Sequence, residues 1–256
     1  MTVMMMPAHL RKPSRTWRYA VASGLLLLAA PALSQDFDPK DCEAGETSAS
    51  VIRACTTWLA IPNLDAATRG KIFYLRGTAW LKEQEPGVAV EDLTDAIKID
   101  PKNADALKSR ARAHTVLGEH VNAAEDWGLV IALQPADEEA LLLRGASHLA
   151  ANKTSEALGD YNKVSELNAK NIDAYIGRAK TFDRMNDREK TLKEFTAALA
   201  IDPNNLPIYI ARAELADRWG ETQLAVESYL TALRLNGMNL KARQALQRLG
   251  VYTPPN

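Results

Sequence analysis

Two series of side chains could do chemistry here, and neither has the spacing of an active site. His114 and His148 occupy equivalent positions 34 residues apart, and Trp80 and Phe182 take the same position one step before and after. A pair of imidazoles can bind a metal. A slot shared with Trp and Phe, however, is one that packs between helices, so core histidines are expected. The second series is Arg76, Arg110, Arg144, Arg178 and Arg212, followed sixteen residues later by Asp92, Asp126, Asp160, Glu194 and Ser228. Acids matched to arginines in this way predict a repeated structural ion pair, between two helices or between neighbouring repeats. The other reading is an arginine ladder that grips an acidic ligand. No Gly-rich phosphate loop, nucleophile elbow or His-Glu-x-x-His motif occurs, and paired acids such as Glu138-Glu139 read as solvated faces. No enzymatic activity, cofactor or metal is expected.

The two cysteines take their meaning from the compartment. Arg11, Lys12, Arg15 and Arg18 precede the apolar run Tyr19–Ala30, and Ala32-Leu33-Ser34 follows Pro31. This is the layout of a signal peptide over residues 1–34, cut after Ser34. The apolar stretch, about 12–15 residues, is shorter than the roughly 20 that span a bilayer, which favours cleavage over a retained anchor. No membrane insertion is expected after the cut, and the mature chain is expected to be periplasmic or secreted. In an oxidising space Cys42 and Cys55 are read as a disulfide tying the N-terminal segment to the first helix, rather than as two free thiols.

Composition frames what must hold these residues. The chain has 256 residues, 46% apolar and only 6% aromatic, rich in Ala and Leu, which points to helix. Removing residues 1–34 leaves 27 of the 31 basic residues against all 32 acids, a net of about −5, and gives no case for nucleic acid.

A strict 34-residue period organises the rest. Pro101, Pro135, Ala169, Pro203 and Gly237 mark it, each inside a turn-like segment such as Ile99-Asp-Pro-Lys-Asn. Small residues fall in phase at Gly77, Ala111, Gly145, Ala179 and Ala213, and again at Ala89, Ala123, Ala157, Thr191 and Ala225. Four residues beyond the second set come Leu93, Trp127, Tyr161, Phe195 and Tyr229, and a third slot holds Ala96, Val130, Val164, Ala198 and Ala232. Each copy reads as two amphipathic helices, split by breaks at Pro86-Gly87, Gly118, Asn152, Asn186-Asp187 and Gly220. So short a hairpin cannot hide its own apolar face, so neighbours must stack.

The period and its landmarks resemble the tetratricopeptide repeat. Residues 70–103, 104–137, 138–171, 172–205 and 206–239 read as five copies. The resemblance implies an all-α fold, a right-handed α-solenoid with capping helices at both ends. Residues 35–69 form the N-terminal segment and cap, with residues 47–61 a lone second helix that puts Cys55 and Leu59 in the small and large slots. Residues 240–256 form a C-terminal cap and tail, with Leu240, Ala242, Leu246 and Leu249 facing the stack.

The resemblance also implies that first helices line a concave groove that receives a peptide or protein. Carried onto this chain, the groove contains Tyr74, Lys108, Arg112, Leu142, Leu149, Ile176 and Lys180. It has an apolar middle at Leu142 and Leu149, flanked by cations suited to a partner's acids. The Lys and Asn pattern with which some relatives clamp a terminal carboxylate is absent. A non-catalytic scaffold or adaptor of the cell envelope is the expected function, with a chaperone-like binder of extended clients as the alternative. The oligomeric state is not encoded in any feature of the sequence.

Overall fold

A computed structural model describes residues 40–251 of the chain. The predicted signal peptide and its cleavage point lie outside these residues. Among the described residues there are thirteen helices and no strand. A short α1 (Lys40–Ala44) and α2 (Ser48–Leu59) lead into five hairpins. These are α3 (Ala66–Lys82) with α4 (Pro86–Ile99), α5 (Ala104–Leu117) with α6 (His120–Leu133), and α7 (Glu138–Ala150) with α8 (Thr154–Leu167). Then come α9 (Ile172–Arg184) with α10 (Arg188–Ile201), α11 (Leu206–Arg218) with α12 (Thr222–Leu235), and a final α13 (Leu240–Arg248). Each helix packs on the next along the chain, so the fold is an all-α solenoid of stacked helix pairs.

The helix boundaries have local causes that recur with the period. Asn103, Asp137, Asn171, Asn205 and Asn239 cap α5, α7, α9, α11 and α13, each side chain accepting from the backbone N–H three residues on. Between the two helices of a pair, Gln84, Gly118, Asn152, Asn186 and Gly220 all adopt left-handed backbone. The N–H of the following residue returns to a carbonyl five positions back, as in Glu119 to His114 and Lys153 to His148, closing the preceding helix. In the first pair this break is Gln84 rather than Pro86-Gly87; Pro86 instead opens α4, where a missing N–H costs nothing. α3 also starts four residues ahead of the expected boundary, at Ala66, because Asp65 caps it through Thr68 N.

The in-phase slots form a continuous spine. Leu93, Trp127, Tyr161, Phe195 and Tyr229 are buried, as are the alanines opposite them. Tyr161 shows how the spine passes from one pair to the next. A Cβ placed on Gly145 of its own pair would lie 2.9 Å from its ring, and one on Gly177 of the next pair would lie closer still. The ring is wedged between two helices that approach it only because both lack side chains there.

The two ends differ. Cys42 and Cys55 are buried and joined in a disulfide, with Cα atoms 5.1 Å apart. The bridge clips α1 onto α2, so α2 is not a lone helix; the five residues of α1 serve as its partner. Closing a loop with a sequence separation of 13 removes on the order of 3 kcal/mol of unfolded-state entropy. A Cys42→Ala, Cys55→Ala double variant should lose up to about that much stability, read by urea unfolding, with amide exchange rising first in α1 and α2. At the other end Ala242 and Leu246 face the stack as expected, but Leu240 does not and is 66% exposed. It is the first residue of α13, directly after the Asn239 cap.

Candidate partner-binding face

The arginine series is structural. Arg76 grips Asp92 with Nε and Nη2 at 2.8 and 2.7 Å, and Arg110 grips Asp126 at 2.8 and 2.6 Å. Arg144 holds Asp160 in the same way, Arg178 holds Glu194, and Arg212 donates to Ser228 Oγ. Each bond crosses from the first to the second helix of a pair. The remaining Nη1 reaches back to the preceding pair: Arg76 to Thr56, Arg110 to Thr94, Arg178 to Asn162 and Ser165. The ion pair itself therefore lies within a hairpin, and the tie to the preceding pair is a hydrogen bond to a neutral side chain. Facing inward with Nε, Nη1 and Nη2 all engaged, Arg76, Arg110 and Arg178 have little left for a ligand.

The histidines join this network. His148 Nδ1 lies 3.1 Å from Asp160 Oδ2. Buried His114 has Glu119 at 2.7 Å from Nδ1 and Asp126 at 3.8 Å from Nε2. The two acids sit on opposite ring nitrogens, so no single ion could meet all three groups. Among the described residues no group of three or more metal-ligating side chains is present.

The first helices α3, α5, α7, α9 and α11 share a face on which side chains pair at the steps from α5 to α7, α9 to α11 and α11 to α13. Lys108 of α5 meets Asp137 at 2.7 Å and Arg112 meets Glu139 at 2.8 Å. Asp183 of α9 meets Arg218 at 2.7 Å, while Glu214 and Asp217 of α11 are bonded to Lys241 and Arg248 of α13. Leu142, Leu149 and Ile176 are half-buried in the middle of this face, with Ala146 exposed beside them and Val116 70% exposed. Toward the C-terminal end it is indented by a cavity of about 340 Å³ lined by Lys180, Asp183, Phe195, Glu214 and Arg218, among others.

No family model matches the chain. Solved structures do match it. A tetratricopeptide repeat protein from Parabacteroides merdae is 19% identical, with a TM-score of 0.63 over 79% of this chain and 86% of that one. The chain has the tetratricopeptide-repeat fold. MamA from Desulfovibrio magneticus RS-1 is also similar, at 19% identity and a TM-score of 0.59 over 67% of this chain and 97% of that one. A thermophilic tetratricopeptide-repeat protein of Thermus thermophilus is 20% identical, with a TM-score of 0.54 over 70% and 98%.

Within this tetratricopeptide-repeat frame the expected groove residues divide into two kinds. Leu142, Leu149 and Ile176 make up the apolar centre. Tyr74 is half-buried; burial and the nearby Asp105 push its hydroxyl above the ordinary range, while Arg112 pulls it down. Arg112 and Glu139 are both more than half exposed, so a partner's carboxylate could replace Glu139 cheaply. Lys180 is exposed and makes no ion pair among the described residues. Lys108 differs. Its ammonium is committed to Asp137, which also caps α7 through Ala140 N.

Asp137 reports on that commitment. Burial pushes its carboxyl up, but the bonds from Lys108 and Ala140 outweigh this and leave it below the ordinary carboxylate range. The pair's contribution is therefore full at neutral pH and fades as the pH falls through that lowered value. In Lys108→Met the burial effect loses its main opponent, so the Asp137 carboxyl should titrate at higher pH, read by carboxyl-carbon NMR.

Three sets of residues behind this face escaped sequence reasoning. The N-caps Asn103 to Asn239 close the very segments that marked the period, yet only their Pro or Gly was given a role. Gln84 escaped because Gln rarely takes left-handed backbone, although its spacing to Gly118 was the available signal. Gly177 stands in phase with Leu75, Ser109, Leu143 and Ala211, so no small-residue rule singled it out.

Proposed function

We propose that this chain is a non-catalytic scaffold or adaptor of the cell envelope, which holds a segment of a partner protein in a groove along its first helices. The observation that carries this reading is the contrast on that face. Most charges there are paired with one another, while Leu142, Leu149, Ala146 and Val116 offer apolar surface on rigid, mutually braced helices. Exposed apolar surface set among paired charges is a common signature of a docking site. Similarity to tetratricopeptide-repeat structures supports protein binding as the general role, while a fold leaves the partner unspecified.

Export to the periplasm or beyond is the second part of the proposal. It rests on the basic and apolar N-terminal sequence, and the buried Cys42–Cys55 disulfide is in keeping with an oxidising compartment. Among the described residues no helix is long and apolar enough to cross a membrane.

Crosslinking tests the reading. A photoreactive residue at position 142 should capture one stoichiometric partner in intact cells, and the same residue at exposed Lys98, on a second helix, should not. Equal capture at both positions, or none at 142, overturns the groove. Capture of many unrelated unfolded proteins favours the chaperone-like alternative. A reporter enzyme active only outside the cytoplasm, fused to the full chain, tests export.

A further inference from the structure

Among the described residues, the ion pairs that join successive first helices are absent at α3 to α5, at the end of the row, and interrupted at one step inside it. α5 is tied to the α7 side by Lys108–Asp137 and Arg112–Glu139, and α9 to α11 by Asp183–Arg218. Between α7 and α9 no ion pair is found among the described residues, although the two helices touch. Across this gap, equivalent positions of three first helices hold Arg112, Ala146 and Lys180: cation, small apolar residue, cation. Half-buried Leu142 and Ile176 flank the alanine. The acids that share a cavity wall with Lys180, Asp183 and Glu214, already hold Arg218 and Lys241, which leaves the Lys180 charge uncompensated.

We infer that this step receives an extended segment of a partner chain bearing two acidic residues six positions apart, with two apolar residues alternating between them. The inference rests on the groove reading above and names the chemistry of the guest. An α-helix with its side chains is about 10 Å across, so Arg112 and Lys180, at equivalent positions two first helices apart, are separated by roughly 20 Å. An extended chain advances about 3.3 Å per residue, so six residues cover about 20 Å. Alternation then fixes the pattern. Side chains at i, i+2, i+4 and i+6 share one face, so both acids meet cations while the two residues between them lie on Leu142, Ala146 and Ile176. A spacing of five or seven turns the second acid to the far side. A helical guest, rising about 1.5 Å per residue, would need its acids about thirteen apart. The guest's first acid displaces Glu139 from Arg112, an exchange made easy because those side chains are 54% and 60% exposed.

The test uses dye-labelled synthetic peptides and the purified protein, read by fluorescence anisotropy. Peptides place two Asp residues five, six, seven or thirteen apart, with Leu at alternate positions between them. Spacing six should bind about tenfold more tightly than five or seven, and replacing both Leu by Ser should remove the preference. Lys180→Glu, an exposed change whose folding is checked by circular dichroism, should weaken binding about tenfold. A peptide with Lys in place of the second Asp should recover it. Affinity blind to spacing, an optimum at thirteen, or no binding by any peptide overturns the inference. Crosslinking from position 142 is independent of these peptides, so a captured partner alongside indifferent peptides keeps the groove and discards this guest. Loss of both discards the groove as well.

Discussion

Arg110→Ala is expected to cost about 3–5 kcal/mol of stability, because it leaves a buried carboxylate without its counter-charge. The Asp126 side chain is only 5% exposed and receives both arginine bonds. Nearby His114 approaches only to 3.8 Å and is already engaged by Glu119. Urea unfolding of the variant should show the loss, with amide exchange accelerating first in α5 and α6. The same change at Arg212 is the control. There the close partner is Ser228, a neutral hydroxyl that also donates to Leu224 O, and Glu227 is exposed at 3.9 Å, so the loss should be smaller, about 1.5–2 kcal/mol, on the order of one hydrogen bond from a charged donor. An Arg110→Met, Asp126→Leu double variant should recover much of the deficit, since an apolar pair leaves nothing unpaired. Equal losses at Arg110 and Arg212 would show that the guanidinium stem, not the charge, is what the fold requires.

Tyr161→Ala is expected to cost about 3–5 kcal/mol by a different route, emptying the wedge between two helix pairs. Gly177→Ala attacks the same contact from the other side. Its new methyl would press into the ring of Tyr161, and a ring held on both faces cannot swing aside, so a loss of about 1–3 kcal/mol should follow. Adding Tyr161→Leu to Gly177→Ala should restore part of it. Gly159→Ala marks the opposite sign. Nothing lies within 4 Å of a Cβ at that position of α8, so helix propensity should raise stability by about 0.5–1 kcal/mol. Thermal melts of the four variants measure all of this. The Tyr161 hydroxyl also registers its burial, which with Asp160 nearby pushes it up to about 12, so it should stay protonated in alkali that ionises ordinary tyrosines.

The spine was legible from sequence because each of its slots depends on one property, size, at one spacing. Ala123, Trp127 and Val130 sit where their phase places them, and Arg110 finds Asp126 because sixteen residues bridge one hairpin. What stayed hidden depends on neighbours rather than on phase. Nothing in the sequence around Lys108 says that Asp137 consumes its charge, since the two meet only after α5 and α7 have both packed on α6. Gly177 is intelligible only once Tyr161 is seen to cross into the next pair. Leu240 misled because a helical wheel assigns it inward, whereas the first residue of a capped helix lies outside the packed turn.

The disulfide and the Arg212–Ser228 bond sit at opposite ends of the stack, and together they give unfolding a direction. Covalent closure clamps the N-terminal pair, while in the last hairpin the arginine meets a hydroxyl instead of a carboxylate, and only the nine-residue α13 covers its outer side. In a protein whose repeats lean only on their neighbours, heat or mechanical load should peel α13 and α12 away first. Such unzipping would reach the Lys180 wall before it reached Arg112, so a bound guest would be let go one contact at a time.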